Sequence, residues 1–168
     1  ATRFEQILLL PVLGLNTAII SIIGQNFGAK NFLRVQESYF TAVKYGFILM
    51  IISGLVIFLS ADKIVSIFSD NPAVINYGTN YLKISALIFP AYPIFFISNG
   101  FFMAIKKSKN SMYLNVIRNV ILPIPTIMAA NAIDGSFETF FWCYCFANWI
   151  YVICLFAYVR SYIKRKIL

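Results

Sequence analysis

Apolar positions along this chain fall in long unbroken runs, without strand-like alternation and without a narrow helical stripe. Five runs stand out: Phe4–Ile23, Phe40–Ser60, Tyr81–Ile105, Met112–Ile133 and Phe140–Val159. Each is long enough to cross a hydrocarbon core about 30 Å thick, which takes roughly 20 mostly apolar residues in a helix. In lipid no backbone N–H or C=O can go unpaired, so runs of this length predict helices. A membrane β-barrel would show shorter segments that alternate apolar and polar positions. The expected fold is all-α: a polytopic transmembrane helical bundle of about five membrane-spanning helices, forming one domain over residues 1–168. Asn71-Pro72 reads as an N-cap with proline at the first helical position, which starts the third helix outside the bilayer and extends it over 72–105. Just before it, Asp62–Phe68 carries Ile64, Val65, Ile67 and Phe68 and predicts a short helix lying in the interface.

Composition supports this class. Of 168 residues 60% are hydrophobic and only 12% charged, too little polar surface for a soluble domain of this length. An ordinary soluble enzyme, a disordered tail and a disulfide scaffold are excluded. The 14 Lys and Arg against 6 Asp and Glu are unevenly placed. Eleven of them, including Lys30, Arg34, Lys106, Lys107, Lys109, Lys164 and Arg165, fall on one side of five successive crossings, and three (Arg3, Lys63, Lys83) on the other. The positive-inside rule then puts the C-terminus in the cytoplasm and the start of the first run outside. An odd number of crossings from an outside start, beginning at Ala1 with no signal-peptide pattern, predicts a further helix upstream. No basic stripe follows a polar face, so nucleic acid is not an expected partner; the lipid bilayer is. The expected location is a plasma (inner) membrane of a prokaryote.

Catalytic chemistry has little to work with. There is no histidine for a Ser/His or Cys/His pair. Cys143, Cys145 and Cys154 lie in one apolar run without a zinc spacing, so no metal site is expected. Gly24 and Gly28 lack the Lys-Ser/Thr of a phosphate loop; they mark either close helix packing or, around Gln25 and Asn26, a helix exit or tight turn. No Asp or Glu falls mid-run. Arg118 is the one charge well inside a run, either snorkelling to the cytoplasmic face, packed, or functional. Pro11, Pro90, Pro93, Pro123 and Pro125 lie within runs, where each removes a helical hydrogen bond; they are bend points of either a moving or a statically kinked helix. Asn99 and Asn119, with Tyr92 and Phe96, are candidates to line a substrate cavity, the alternative being helix–helix glue and interfacial aromatics.

Three stretches carry a resemblance to the multidrug and toxic compound extrusion (MATE) family of transporters. The first runs from Pro11 and Gly14 to Gly24-Gln25-Asn26-Phe27-Gly28-Ala29, similar to that family's helix ending in a "GQN-x-GA" turn. The second is Phe68-Ser69-Asp70-Asn71-Pro72-Ala73-Val74-Ile75 followed by Tyr81-Leu82-Lys83-Ile84. The third is Arg118 with Leu122-Pro123. The resemblance implies twelve helices in two six-helix lobes around a central cavity, with this chain forming the last five, a partial C-terminal lobe. It implies a secondary active transporter that exports organic, often cationic or amphiphilic, compounds in antiport with Na⁺ or H⁺. It needs no other cofactor, and its missing N-terminal lobe is the partner of this one. Both termini of the family lie in the cytoplasm, which agrees with the charge bias. Some members carry cation-coupling acids on the first and fourth helices of this lobe. The run Tyr81–Ile105, which corresponds to the fourth, has none, so no coupling site transfers to this sequence. Two other readings stay open: a lipid-linked oligosaccharide flippase of the same superfamily, and a non-transporting membrane scaffold subunit.

Overall fold

The computed structural model describes residues 2–68 and 71–167, and among them the regular structure is entirely helical. Seven α-helices follow one another: α1 (Thr2–Gly28), α2 (Phe32–Ser66), α3 (Pro72–Ile88), α4 (Ala91–Ala104), α5 (Ser108–Val116), α6 (Pro123–Ile133) and α7 (Phe137–Lys166). A π-helical turn, Ile117–Ile121, joins α5 to α6, so that Ser108–Ile133 is one 26-residue crossing. Helices α1, α2, this composite and α7 are each long and apolar enough to span a membrane. Neither α3 (17 residues) nor α4 (14 residues) is long enough alone; together, bent by 48°, they make the fifth crossing.

The helices outrun the apolar runs because they continue until local chemistry stops them. Asn31 caps α2 by accepting from the Arg34 N–H (3.3 Å), Asn71 caps α3 by accepting from Ala73 (3.0 Å), and Ser136 caps α7 by accepting from Glu138 (3.2 Å). At the other ends, α1 and α4 close with Lys30 and Lys106 in the left-handed region (φ 58° and 59°). There Asn31 N–H reaches the Asn26 carbonyl (2.9 Å) and Lys107 N–H the Phe102 carbonyl (2.8 Å). The interfacial helix expected over Asp62–Phe68 is absent as a separate element. Instead α2 runs unbroken through Asp62 to Ser66. No proline, glycine or cap interrupts it there, and Ile57, Ala61, Ile64 and Val65 continue one stripe onto the same cluster.

Helix α4 is central and packs against α1, α2, α5 and α7; α2 also packs on α1 and α3, and α7 on α3 and α6. One cluster is built around buried Tyr39, Ile97, Phe101, Phe102 and Val159. A second joins Val12, Met50, Ile57, Leu82 and Phe89. Glycines let backbones approach: a Cβ on Gly46 would lie 2.9 Å from Pro93 Cβ, and one on Gly54 2.8 Å from the Ala86 carbonyl oxygen. Ile48, Leu55, Leu59, Ile127, Ile150 and Ile153 are exposed, an apolar exterior suited to lipid rather than water.

Candidate functional site

The break between α3 and α4 falls at Phe89–Pro90. Pro90 and Pro93 have no N–H for the carbonyls of Ala86 and Phe89, each four residues earlier. Neighbours cover the gap. The Phe89 carbonyl accepts from Tyr92 N–H (3.1 Å). The Ala86 carbonyl lies against Gly54 of α2. The Leu87 carbonyl accepts the Trp149 indole N–H of α7 (3.1 Å). The next crossing loosens at the same stage: Leu122 N–H bonds the Ile117 carbonyl (2.8 Å), five residues back, just before Pro123. A π-helical turn here relieves the clash of a proline ring with the preceding turn. Pro11, by contrast, lies within an unbroken α1.

Arg118 sits in that π turn. Of its five residues only the arginine is buried, while Ile117, Val120 and Ile121 face outward. Its guanidinium carbon lies 4.1 Å from the ring centre of Phe95, 4.9 Å from Tyr92 and 5.9 Å from Phe96. Cation–π attraction of about 0.5–2 kcal/mol per well-placed ring offsets part of the desolvation. The side chain therefore does not snorkel: at 6% exposure it is held inward by rings from α4. Tyr151 of α7 completes the surroundings, its ring 6.3 Å from Phe95 and its hydroxyl donating to the Leu114 carbonyl (3.0 Å).

The other sequence candidates divide. Tyr92 and Phe96 join Arg118. Asn99 lies one turn further along α4, where it accepts from the Ser111 hydroxyl of α5. Asn119 is exposed and donates to the Asn115 carbonyl of its own helix (3.0 Å), so adjacency to Arg118 in sequence does not bring it inside. Gln25 and Asn26 belong to the last turns of α1 and bond back to Ser21 and Ile22. Gly24 meets the Ala104 carbonyl of α4 (a Cβ would be 3.8 Å away), and Gly28 has open space. Phe95, Tyr151 and Asn148 went unselected in sequence. Phe95 carries a signal as an aromatic in an apolar run, and so does Asn148 as a polar residue in one. Asn148 is fully buried, and neither its Nδ2 nor its Oδ1 finds a partner.

The described acids lie toward helix ends. Asp62 faces Lys83 at 3.7 Å, and Glu138 accepts from Asn80 (2.7 Å). Asp134, in the α6–α7 turn, accepts from Ser136 N–H (2.9 Å) and the Thr139 hydroxyl (3.0 Å). These two bonds hold its carboxyl below the usual carboxylate range.

The chain is similar to known proteins in sequence and in fold. The chain is 25% identical over 134 residues to an FAD transporter of Shewanella oneidensis, covering 80% of this chain and 30% of the relative. It is 28% identical over 123 residues to the probable multidrug resistance protein YpnP of Bacillus subtilis, covering 73% and 28%. A MOP superfamily transporter from Pyrococcus furiosus superposes with TM-score 0.90 at 20% identity, covering 99% of this chain and 38% of that one. This chain thus spans less than a third of the curated relatives' length. The MatE family model matches residues 1–128, and the chain belongs to that family of integral membrane proteins.

Proposed function

We propose that this chain is the C-terminal-lobe part of a secondary active transporter that exports organic compounds in antiport with Na⁺ or H⁺. The observation that carries the reading is the pair of weakened crossings at the lobe's centre. The α3–α4 crossing is bent by 48° at Phe89–Pro90, and the neighbouring crossing holds a π turn before Pro123. Broken helices at membrane depth, packed into a rigid surround, suit alternating access in which one lobe rocks against the other. In this reading Pro90, Pro93 and Pro123 are the bend points, and Tyr92, Phe96 and Asn99 lie toward the substrate cavity. The names of the two relatives, an FAD transporter and a multidrug resistance protein, support an organic cargo. The coupling carboxylate lies in the part of the transporter beyond this chain, since no described Asp or Glu occupies the middle of a crossing. The membrane is the prokaryotic plasma membrane, with Lys107 and Lys164 on its cytoplasmic side.

The test is efflux of ethidium from proteoliposomes containing the full-length protein, with an imposed Na⁺ or H⁺ gradient. Gradient-driven efflux is expected. Efflux indifferent to both gradients would refute antiport, and absence of transport across a panel of aromatic cations and anions would favour a scaffold. Cysteine labels at Lys107 and Lys164 reacting from opposite faces would refute the topology.

A further inference from the structure

Arg118 has five N–H donors, and rings, which offer no oxygen or nitrogen lone pair at their faces, lie 4.1–5.9 Å from its guanidinium carbon. Among the described residues Arg118 forms no ion pair with an Asp or Glu. A cation this deep in a membrane protein is retained only when something compensates it. A second buried polar group, on α7, has no partner. Asn148 is fully buried, with both amide atoms unpaired. It lies on the buried face of α7, three residues after Cys145 and three before Tyr151. Cys145 belongs to the cluster that Tyr92 packs against, and Tyr151 packs against Phe95, so Asn148 stands on α7 between two residues that reach the rings around Arg118. The π turn has also inverted the usual order, burying the charge and exposing the aliphatics. Such bulges recur at functional sites.

We infer that Arg118 and Asn148 form an oxyanion subsite, which takes the carboxylate or phosphate of an organic anion whose flat apolar body rests on Tyr92 and Phe96. A guanidinium edge offers paired N–H groups to two oxygens of one anion, and an amide adds a further donor. Tyr92 and Phe96 are half-buried where Phe95 is enclosed, so the way to the guanidinium passes over these two rings. The inference rests on the export reading and sharpens it: the cargo bears an acidic group, in contrast to the cationic compounds that the sequence resemblance implied.

The test uses the full-length transporter in lipid nanodiscs and three probes that share one ring system: 2-naphthoate, 2-naphthyl phosphate and neutral 2-naphthylmethanol. Titration calorimetry is expected to show the two anions binding about tenfold or more tightly than the alcohol. Arg118→Gln should erase that preference, Arg118→Lys should keep part of it, and Asn148→Leu should reduce it severalfold. Equal binding of all three probes by the unaltered protein would overturn the subsite. So would a preference that survives Arg118→Gln. The first result is also what a carboxylate from elsewhere in the transporter, already paired with Arg118, would produce. Because the unaltered protein alone can refute the idea, a poorly folded variant does not shield it. Gradient-driven efflux of 2-naphthyl phosphate and of ethidium from proteoliposomes of the same protein separates the two claims. Gradient-driven efflux without anion preference sinks only the subsite, and anion preference without any transport sinks only the export reading.

Discussion

Gly54→Ala tests how the bent crossing is held. Gly54 is buried on α2 opposite the Ala86 carbonyl that Pro90 leaves without its helical donor. An added Cβ would stand 2.8 Å from that oxygen. Ordinary C···O approach is about 3.3–3.6 Å, so α2 and α3 must part by roughly 0.5 Å or more. The obstacle is backbone, which cannot swing away as a side-chain tip would. Overpacking of this kind costs about 1–3 kcal/mol, against which alanine in a helix gains about 0.5–1 kcal/mol over glycine. The expected net is a loss of about 1–2 kcal/mol. Gly14→Ala is the control: it lies exposed in mid-α1 with nothing within 4 Å of a new Cβ, and should gain about 0.5–1 kcal/mol. The measurement is thermal unfolding of the full-length protein in a fixed detergent. The two variants should move the midpoint in opposite directions by a few degrees, at about 2–4 °C per kcal/mol. A midpoint raised by both would refute the close-approach argument.

Three further outcomes are expected. Trp149→Phe removes the donor to the Leu87 carbonyl at the break and should cost about 0.5–1.5 kcal/mol, the net worth of an ordinary hydrogen bond; a midpoint unchanged in the same unfolding assay would show the carbonyl satisfied by other means. Tyr39→Phe breaks the buried hydroxyl pair with Ser98 (2.8 Å) and should cost about 1 kcal/mol, while Tyr39→Phe combined with Ser98→Ala should cost less than the two single changes added together. Asp134→Asn should destabilise at neutral pH and not in acid. A carboxyl whose folded-state pKa is depressed contributes stability above its unfolded pKa and loses it as pH falls through the folded one, so the gap between variant and parent midpoints should close below the ordinary carboxylate range.

Residue order alone determined that the chain threads a bilayer, about how many times, and which ends carry the positive charge. Those properties follow from one-dimensional constraints. A run either reaches across about 30 Å of hydrocarbon with its backbone bonds satisfied internally or it does not, and lysines stay on the side where they are cheapest to leave. The cap at Asn71-Pro72 was legible for the same reason, since its partners lie within one turn. The prolines were not equivalent, and nothing local distinguished them: Pro11 rides within a continuous helix, while Pro90 ends one. The second case is sustained by Gly54 and Trp149, contributed by helices on either side of it in sequence. Asp62–Phe68 reads in sequence as a separate interfacial helix, whereas the packed stripe of α2 continues through Asp62 to Ser66. Arg118 is the clearest case. Read along the chain, the one charge well inside a run leaves snorkelling, packing and a functional role open. Its burial depends on three rings that precede it by more than twenty residues and on a π turn that rotates it toward them. Charge burial is a property of the surrounding volume, and that volume exists only once the helices have packed.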